Sequence, residues 1–191
     1  MLAEGGGEPF DDPRWRFEPK LDGIRALAEM ETGGTVFRTR RGRDVTFQYP
    51  DIHMIHELVD QVNAVLDGEI VAVEDGGRTS FELLQQRMNL QNEREIKRVA
   101  KQIPVSFVIF DLLWLDGHDV TGLALDPEHR LWLGTFDTGA RREDQARASS
   151  ERVFAVRWLD GRPLAFARGG VRDLSSGKAA VDWPVSALPG P

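Results

Sequence analysis

Phe17-Glu18-Pro19-Lys20-Leu21-Asp22-Gly23-Ile24-Arg25 places a lysine two residues before an Asp-Gly step and five before an arginine. Lysine is scarce in this chain. Lys20, Lys97, Lys101 and Lys178 are the only ones, and every other basic residue apart from histidine is arginine. Where arginine is the default cation, a lysine inside a dense motif points to chemistry that needs an amine. An amine can lose its proton and attack, whereas a guanidinium cannot. Burial and the nearby Arg25 would both favour the neutral amine. Gly23 would let the backbone approach a ligand closely or take up a positive φ.

The 191 residues are enough for one domain with a real core. With 41% hydrophobic and 29% charged residues the composition is that of a soluble globular protein. The absence of cysteine excludes disulfides and thiolate metal sites. No apolar run approaches a membrane span, and Met1 to Gly7 lacks the basic and apolar regions of a signal peptide, so a cytoplasmic location with no membrane partner is expected. The net charge of −7 is uneven. Residues 141–191 carry nine Lys/Arg against six Asp/Glu, and residues 1–140 carry 15 against 25. Arg38, Arg40, Arg41 and Arg43 form a local basic cluster that suits phosphates or is simply a solvated hairpin tip.

The pattern of elements predicts an α+β fold with largely antiparallel sheets. Residues 24–30 and 35–40 read as a hairpin turning at Thr32-Gly33-Gly34. Helical spacing of Ile52, Ile55, Leu58 or Val59, and Val62 predicts a helix starting at Pro50-Asp51 and capped by Asp51. Residues 65–73 read as a strand broken at Asp67-Gly68, with a turn at Asp75-Gly76-Gly77. Thr79 with Glu82 fits a capping box, and Asn92 with Glu95 repeats it, the second helix being supported by Glu93 and Lys97 at i,i+4. Residues 105–115 are nearly all apolar and read as a strand buried on both faces. Asp116-Gly117 is a turn. Three units are expected: a flexible N-terminus over 1–12, a folded unit over 13–125, and a divergent, poorly ordered tail over 126–191.

The chemistry-bearing residues fall in a fixed order. Glu69, after Asp67-Gly68, is suited to a ribose hydroxyl or a magnesium ion, which needs only one or two carboxylates besides substrate phosphates. Phe110 is either core or a platform for a purine. His53 and His56 lack the glutamate and spacing of a zinc-protease motif.

Taken in order, these segments resemble the adenylation (nucleotidyltransferase) domain of ATP-dependent DNA ligases. Lys20-Leu21-Asp22-Gly23-Ile24-Arg25 is similar to the Lys-x-Asp-Gly-x-Arg motif shared with RNA ligases and capping enzymes. Asp67-Gly68-Glu69-Ile70-Val71 and Phe107 to Leu113 are similar to the next two motifs, and Phe81 to Met88 to the intervening helix. The resemblance runs from about Pro13 to about Leu123 and is strongest to bacterial ligases of the non-homologous end-joining type. It implies that Lys20 attacks the α-phosphate of ATP to form lysyl-AMP with Mg2+ present. AMP then passes to the 5′-phosphate of nicked double-stranded DNA, in repair and recombination, with end-joining proteins as partners. It further implies that Glu18 contacts adenine, Arg25 the ribose, Arg40 a phosphate and Glu69 ribose or metal, and that Phe110 stacks on adenine.

The family pattern continues with a Glu-Gly-Val segment ending in lysine and then a Lys-x-Lys strand. Gly169-Gly170-Val171 and Asp182-Trp183 echo these without the lysines, and the length leaves no room for a downstream OB-fold. A truncated or frame-slipped gene and a natural remnant both account for the change. The alternatives to a DNA ligase are an RNA ligase, a capping-type enzyme and a non-catalytic nucleotide- or DNA-binding remnant.

Overall fold

The computed structural model describes residues 11, 19–58, 63–142, 152–159, 161–167, 170–176 and 179–181. Eleven strands and two helices are seen among them: β1 Ile24–Glu31, β2 Gly34–Thr39, β3 Ala64–Ala72, α1 Phe81–Gln85, α2 Glu93–Gln102, β4 Val105–Leu115, β5 His118–Leu125, β6 Leu131–Thr135, β7 Gly139–Arg142, β8 Val153–Leu159, β9 Arg162–Ala167, β10 Gly170–Asp173 and β11 Ala179–Val181. All pairings are antiparallel. One sheet runs β2-β1-β3-β4-β5-β6-β7 and the other β11-β10-β9-β8. The architecture is the expected α+β, mostly antiparallel one.

Alternation along β1 and β3 sorts the first sheet into two faces. Ala26, Ala28, Ile70 and Ala72 face a core with Phe37, Val45, Tyr49, Ile52, Leu84 and Val105. Phe107 meets Phe37 edge-on at 5.0 Å between ring centres. Arg25, Asp67 and Glu69 lie on the opposite face. Helix α2 lays Ile96 and Val99 inward. Its start follows the expected cap, with Asn92 accepting from the Arg94 and Glu95 N–H groups. Lys97 reaches Glu93 at 2.5 Å.

Four local readings change. The helix expected from Pro50 is a series of turns ending in one 3-10 turn, Ile55–Leu58, and Val59 to Val62 lie outside the described residues. Asp51 caps nothing, because its carboxylate is held elsewhere. The capping residue of α1 is Ser80, whose hydroxyl accepts from Leu83 N–H, while Thr79 Oγ1 accepts from Asp22 N–H at 2.9 Å. Strand β4 is not buried on both faces, since Val108, Ile109 and Phe110 are exposed.

The last change has a geometric cause. Asp67 pairs with Asp111 but Gly68 pairs with Ile109, and Val65 pairs with Trp114 but Leu66 with Leu112. Phe110 and Leu113 are therefore extra residues in β4, at two bulges. Each bulge interrupts inside–outside alternation, so a strand with one open face loses its polar–apolar pattern and reads as wholly apolar.

Residues beyond 126, expected to form a poorly ordered tail, hold six of the strands. Trp132, Ala140, Val153, Val156, Ala165 and Leu174 gather in a second buried cluster. These apolar positions come from short strands and are too few in each to form a long periodic face.

The structural centre of the first unit is Arg87. Its side chain is fully buried. The two terminal nitrogens donate to Asp51 Oδ2 and Oδ1 at 2.7 and 2.8 Å, and to the Ile103 and Gln48 carbonyls at 3.0 and 2.9 Å. Its guanidinium lies 5.2 Å from the centre of the Tyr49 ring. Asp51 Oδ2 also accepts from Val105 N–H at 2.8 Å. One ion pair thus joins the turn after β2, the end of α1, the end of α2 and the start of β4.

Removing one partner of a buried pair leaves the other charge without compensation, at about 3–5 kcal/mol. The Asp51 side chain keeps 22% of its exposure whereas Arg87 keeps none, so the carboxylate can rehydrate and the guanidinium cannot. Asp51→Ala is therefore expected to lose about 3 kcal/mol, and Arg87→Met distinctly less. Urea denaturation of the two variants reads the order directly.

Candidate active site

Strands β1, β3 and β4 bring the candidate residues together. Arg25 stands opposite Glu69 in the β1–β3 register and diagonal to Asp67, within reach of a long side chain. The guanidinium takes the diagonal: Nε donates to Asp67 Oδ1 at 3.0 Å and Nη2 to Asp67 Oδ2 at 2.5 Å. Asp67 is buried and Arg25 about half exposed. The same guanidinium lies 5.5 Å from the centre of the Phe110 ring. The bulge at Phe110 aims that ring to this face. Hydrogen bonding by Asp67 raises Arg25 above its ordinary range, so the cation is fixed.

Glu69 is half-buried beside this pair. Burial raises its carboxyl above the ordinary range, and the Gly23 N–H and the Arg25 charge oppose that rise without cancelling it. A carboxylate so placed gains from a further cation. Among the described residues no three of His, Cys, Asp or Glu cluster as a metal cage, which is compatible with magnesium held by one carboxylate and substrate phosphates.

Of the two expectations for Gly23, a positive φ is not met. A Cβ here would lie 2.3 Å from the Ile70 carbonyl oxygen and 2.8 Å from the Glu69 Cγ and Val71 Cγ1. The segment leading into β1 thus lies tightly against β3. Gly68 is similar, since a Cβ would lie 2.6 Å from the Phe107 ring and the Val108 carbonyl. Asp67-Gly68 is thus no turn but mid-strand packing at the first bulge.

Lys20 stands just before β1, beside Asp22, whose charge is felt at Glu69. Its side chain is 90% exposed and its Nζ lies 3.4 Å from Asp22 Oδ1. The burial expected to favour a neutral amine is not present. Asp22 is itself anchored through its N–H to Thr79. Arg40 follows β2 in an exposed turn, one residue beyond Thr39, which pairs with Ala26. Of its neighbours, Arg38 pairs with Glu29 and Arg43 donates to Asn89, so the arginine cluster is divided among separate partners. Glu18 lies outside the described residues, as do Gly169, Lys178, Asp182 and Trp183. His53 and His56 bond to the Pro50 carbonyl and to Thr35 Oγ1. Asp67 is the functional residue that sequence reasoning passed over. Its signal is the i, i+2 spacing to Glu69, which puts both carboxylates on one strand face once no turn intervenes.

Two substitutions test this packing. Gly23→Ala is expected to lose about 1–3 kcal/mol by overpacking, while Gly34→Ala, whose Cβ would meet nothing within 4 Å, stays near zero in the same denaturation experiment. Glu69→Gln keeps an acceptor for Gly23 and removes the burdened charge. A carboxyl raised in the folded state opposes folding above its folded pKa and not below its unfolded one. Glu69→Gln is therefore expected to be more stable than wild type at neutral pH, with the gain vanishing as the pH falls below the ordinary carboxylate range.

The family described as ATP dependent DNA ligase domain matches residues 7–146. The multifunctional non-homologous end joining protein LigD of Mycolicibacterium smegmatis is 36% identical over 140 residues, 73% of this chain and 17% of that protein. A DNA ligase of Aeropyrum pernix is 34% identical over 136 residues, covering 68% and 22%. A solved structure of mycobacterial DNA ligase D complexed with ATP and MES is 38% identical, covering 55% of this chain and 31% of that one, with a TM-score of 0.45. The chain spans about a fifth or less of the length of these curated relatives. The family match spans well over half of the chain, and on that ground the chain belongs to the ATP-dependent DNA ligase domain family.

Proposed function

We propose that this chain is part of a ligase adenylation domain and that Lys20 is its nucleophile. The observation that carries the reading is the grouping of Arg25, Asp67, Glu69 and Phe110 on one sheet face, with the exposed Lys20 amine beside Asp22 just ahead of β1. Lys20 Nζ attacks the α-phosphate of ATP, a P–N bond forms, and the P–O bond to pyrophosphate breaks. AMP then moves to the 5′-phosphate of a DNA nick, freeing the lysine, and the 3′-hydroxyl displaces it. Phe110 offers its ring to the adenine. Arg25, locked by Asp67, presents a fixed cation to the ribose. Glu69 holds a ribose hydroxyl or a magnesium ion, which supplies charge neutralisation at the phosphates. Glu18 and Arg40 belong to the same reading, toward adenine and phosphate.

The late lysines of the family pattern have no counterpart in residues 126–191. Removing one preorganised charge at a reacting oxyanion typically lowers the rate about a hundredfold to a thousandfold. The reading is therefore of slow self-adenylation. Intact mass after incubation with ATP and Mg2+ is expected to show a slow gain of one AMP, abolished in Lys20→Ala and absent with GTP. Nucleotide binding without the mass gain would favour a non-catalytic remnant, and labelling by GTP would favour a capping enzyme. On a singly nicked duplex, multiple-turnover sealing by this chain is expected to be undetectable.

A further inference from the structure

A second aromatic–arginine group lies away from Lys20, two places along the sheet from β4. Phe136 sits in the turn between β6 and β7, and Phe154 on β8. They are 41% and 51% exposed. Their ring centres are 6.4 Å apart, tilted by 59°. The Arg152 guanidinium lies 4.8 Å from the centre of the Phe136 ring. Phe154 owes its exposure to the same device as Phe110. Val153 pairs with Ala167 and Ala155 with Phe166, so Phe154 is the extra residue of a bulge and points away while Val153 and Val156 stay buried.

Two neighbouring rings half open to solvent, with a cation on one, suit the flat face of an unstacked nucleobase. The charge distribution favours a polyanion over an apolar protein surface. Residues 141–191, which include Arg152 and Phe154, carry nine Lys/Arg against six Asp/Glu in an otherwise acidic chain. Of the acids beside the platform, Asp137 is engaged by His118 Nδ1 at 2.9 Å, and Asp119 accepts from the Phe136 N–H through its backbone carbonyl. The geometry points to Phe136, Phe154 and Arg152 as a stacking site for single-stranded DNA, such as a frayed or overhanging end. The site is separate from the adenylation residues, and its test does not depend on them.

The test is fluorescence anisotropy with a short labelled oligothymidylate and an abasic oligonucleotide of equal length, which has the same phosphates and no bases. The wild-type chain is expected to bind the oligothymidylate more tightly. The Phe136→Ala/Phe154→Ala double variant is expected to lose about tenfold for the oligothymidylate and nothing for the abasic strand. Phe154→Leu keeps the apolar bulk but not the ring, and is expected to lose affinity in the same selective way. Far-UV circular dichroism confirms that the variants are folded, which their exposure favours. Equal wild-type affinity for the two strands, unchanged affinity in the variants, or no binding even at low salt would overturn the proposal. Loss of the lysyl-AMP adduct would leave this test unaffected, so the two readings fail independently.

Discussion

The buried Arg87–Asp51 pair is the constraint on which the first half of the molecule depends. A guanidinium withdrawn from water must find several acceptors in one place. Here they come from the Asp51 carboxylate and from the carbonyls of Gln48 and Ile103. Gln48 and Asp51 belong to the connection from β2 to β3 and Ile103 to the one from α2 to β4, so the pair sets how the helices sit against the first sheet. That packing holds the core face of β1 and β3, and with it the opposite face on which Arg25, Asp67 and Glu69 are displayed. Specificity rather than raw stability is what such a pair can supply, because an apolar replacement of equal volume is often as stable.

Much of this was legible in the sequence, and the failures have physical reasons. The β1–β2 hairpin was visible because Gly33 needs a positive φ that few other residues accept. Helix α2 was visible because its cap and its i,i+4 pair are local. The helix expected from Pro50 failed because its apolar spacing was real but the turn was claimed by a distant partner, Arg87. Strand β4 was placed correctly and its burial was not, because two bulges erase the alternation that marks an exposed face.

The site shows the same division. Lys20, Glu69 and Phe110 could be named from residue type and order. Asp67 could not, since Asp-Gly is common in turns and only the register with β1 shows it reaching Arg25. The role of Gly23 was also hidden: the strand that crowds it lies more than forty residues along the chain, at Glu69 to Val71.

The order β2-β1-β3 has a consequence for how the site comes into being. Hairpin β1–β2 closes through a tight turn and can form within microseconds. It contains Arg25 but neither carboxylate. The partner strand arrives only after a long loop closes: Arg25 and Asp67 are 42 positions apart, Asp22 and Thr79 57. Closure over such separations is slow and is stabilised only when the whole sheet condenses. The face that carries Arg25, Asp67 and Glu69 is therefore among the last parts of the sheet to form, and a nascent chain displays Lys20 before that face exists.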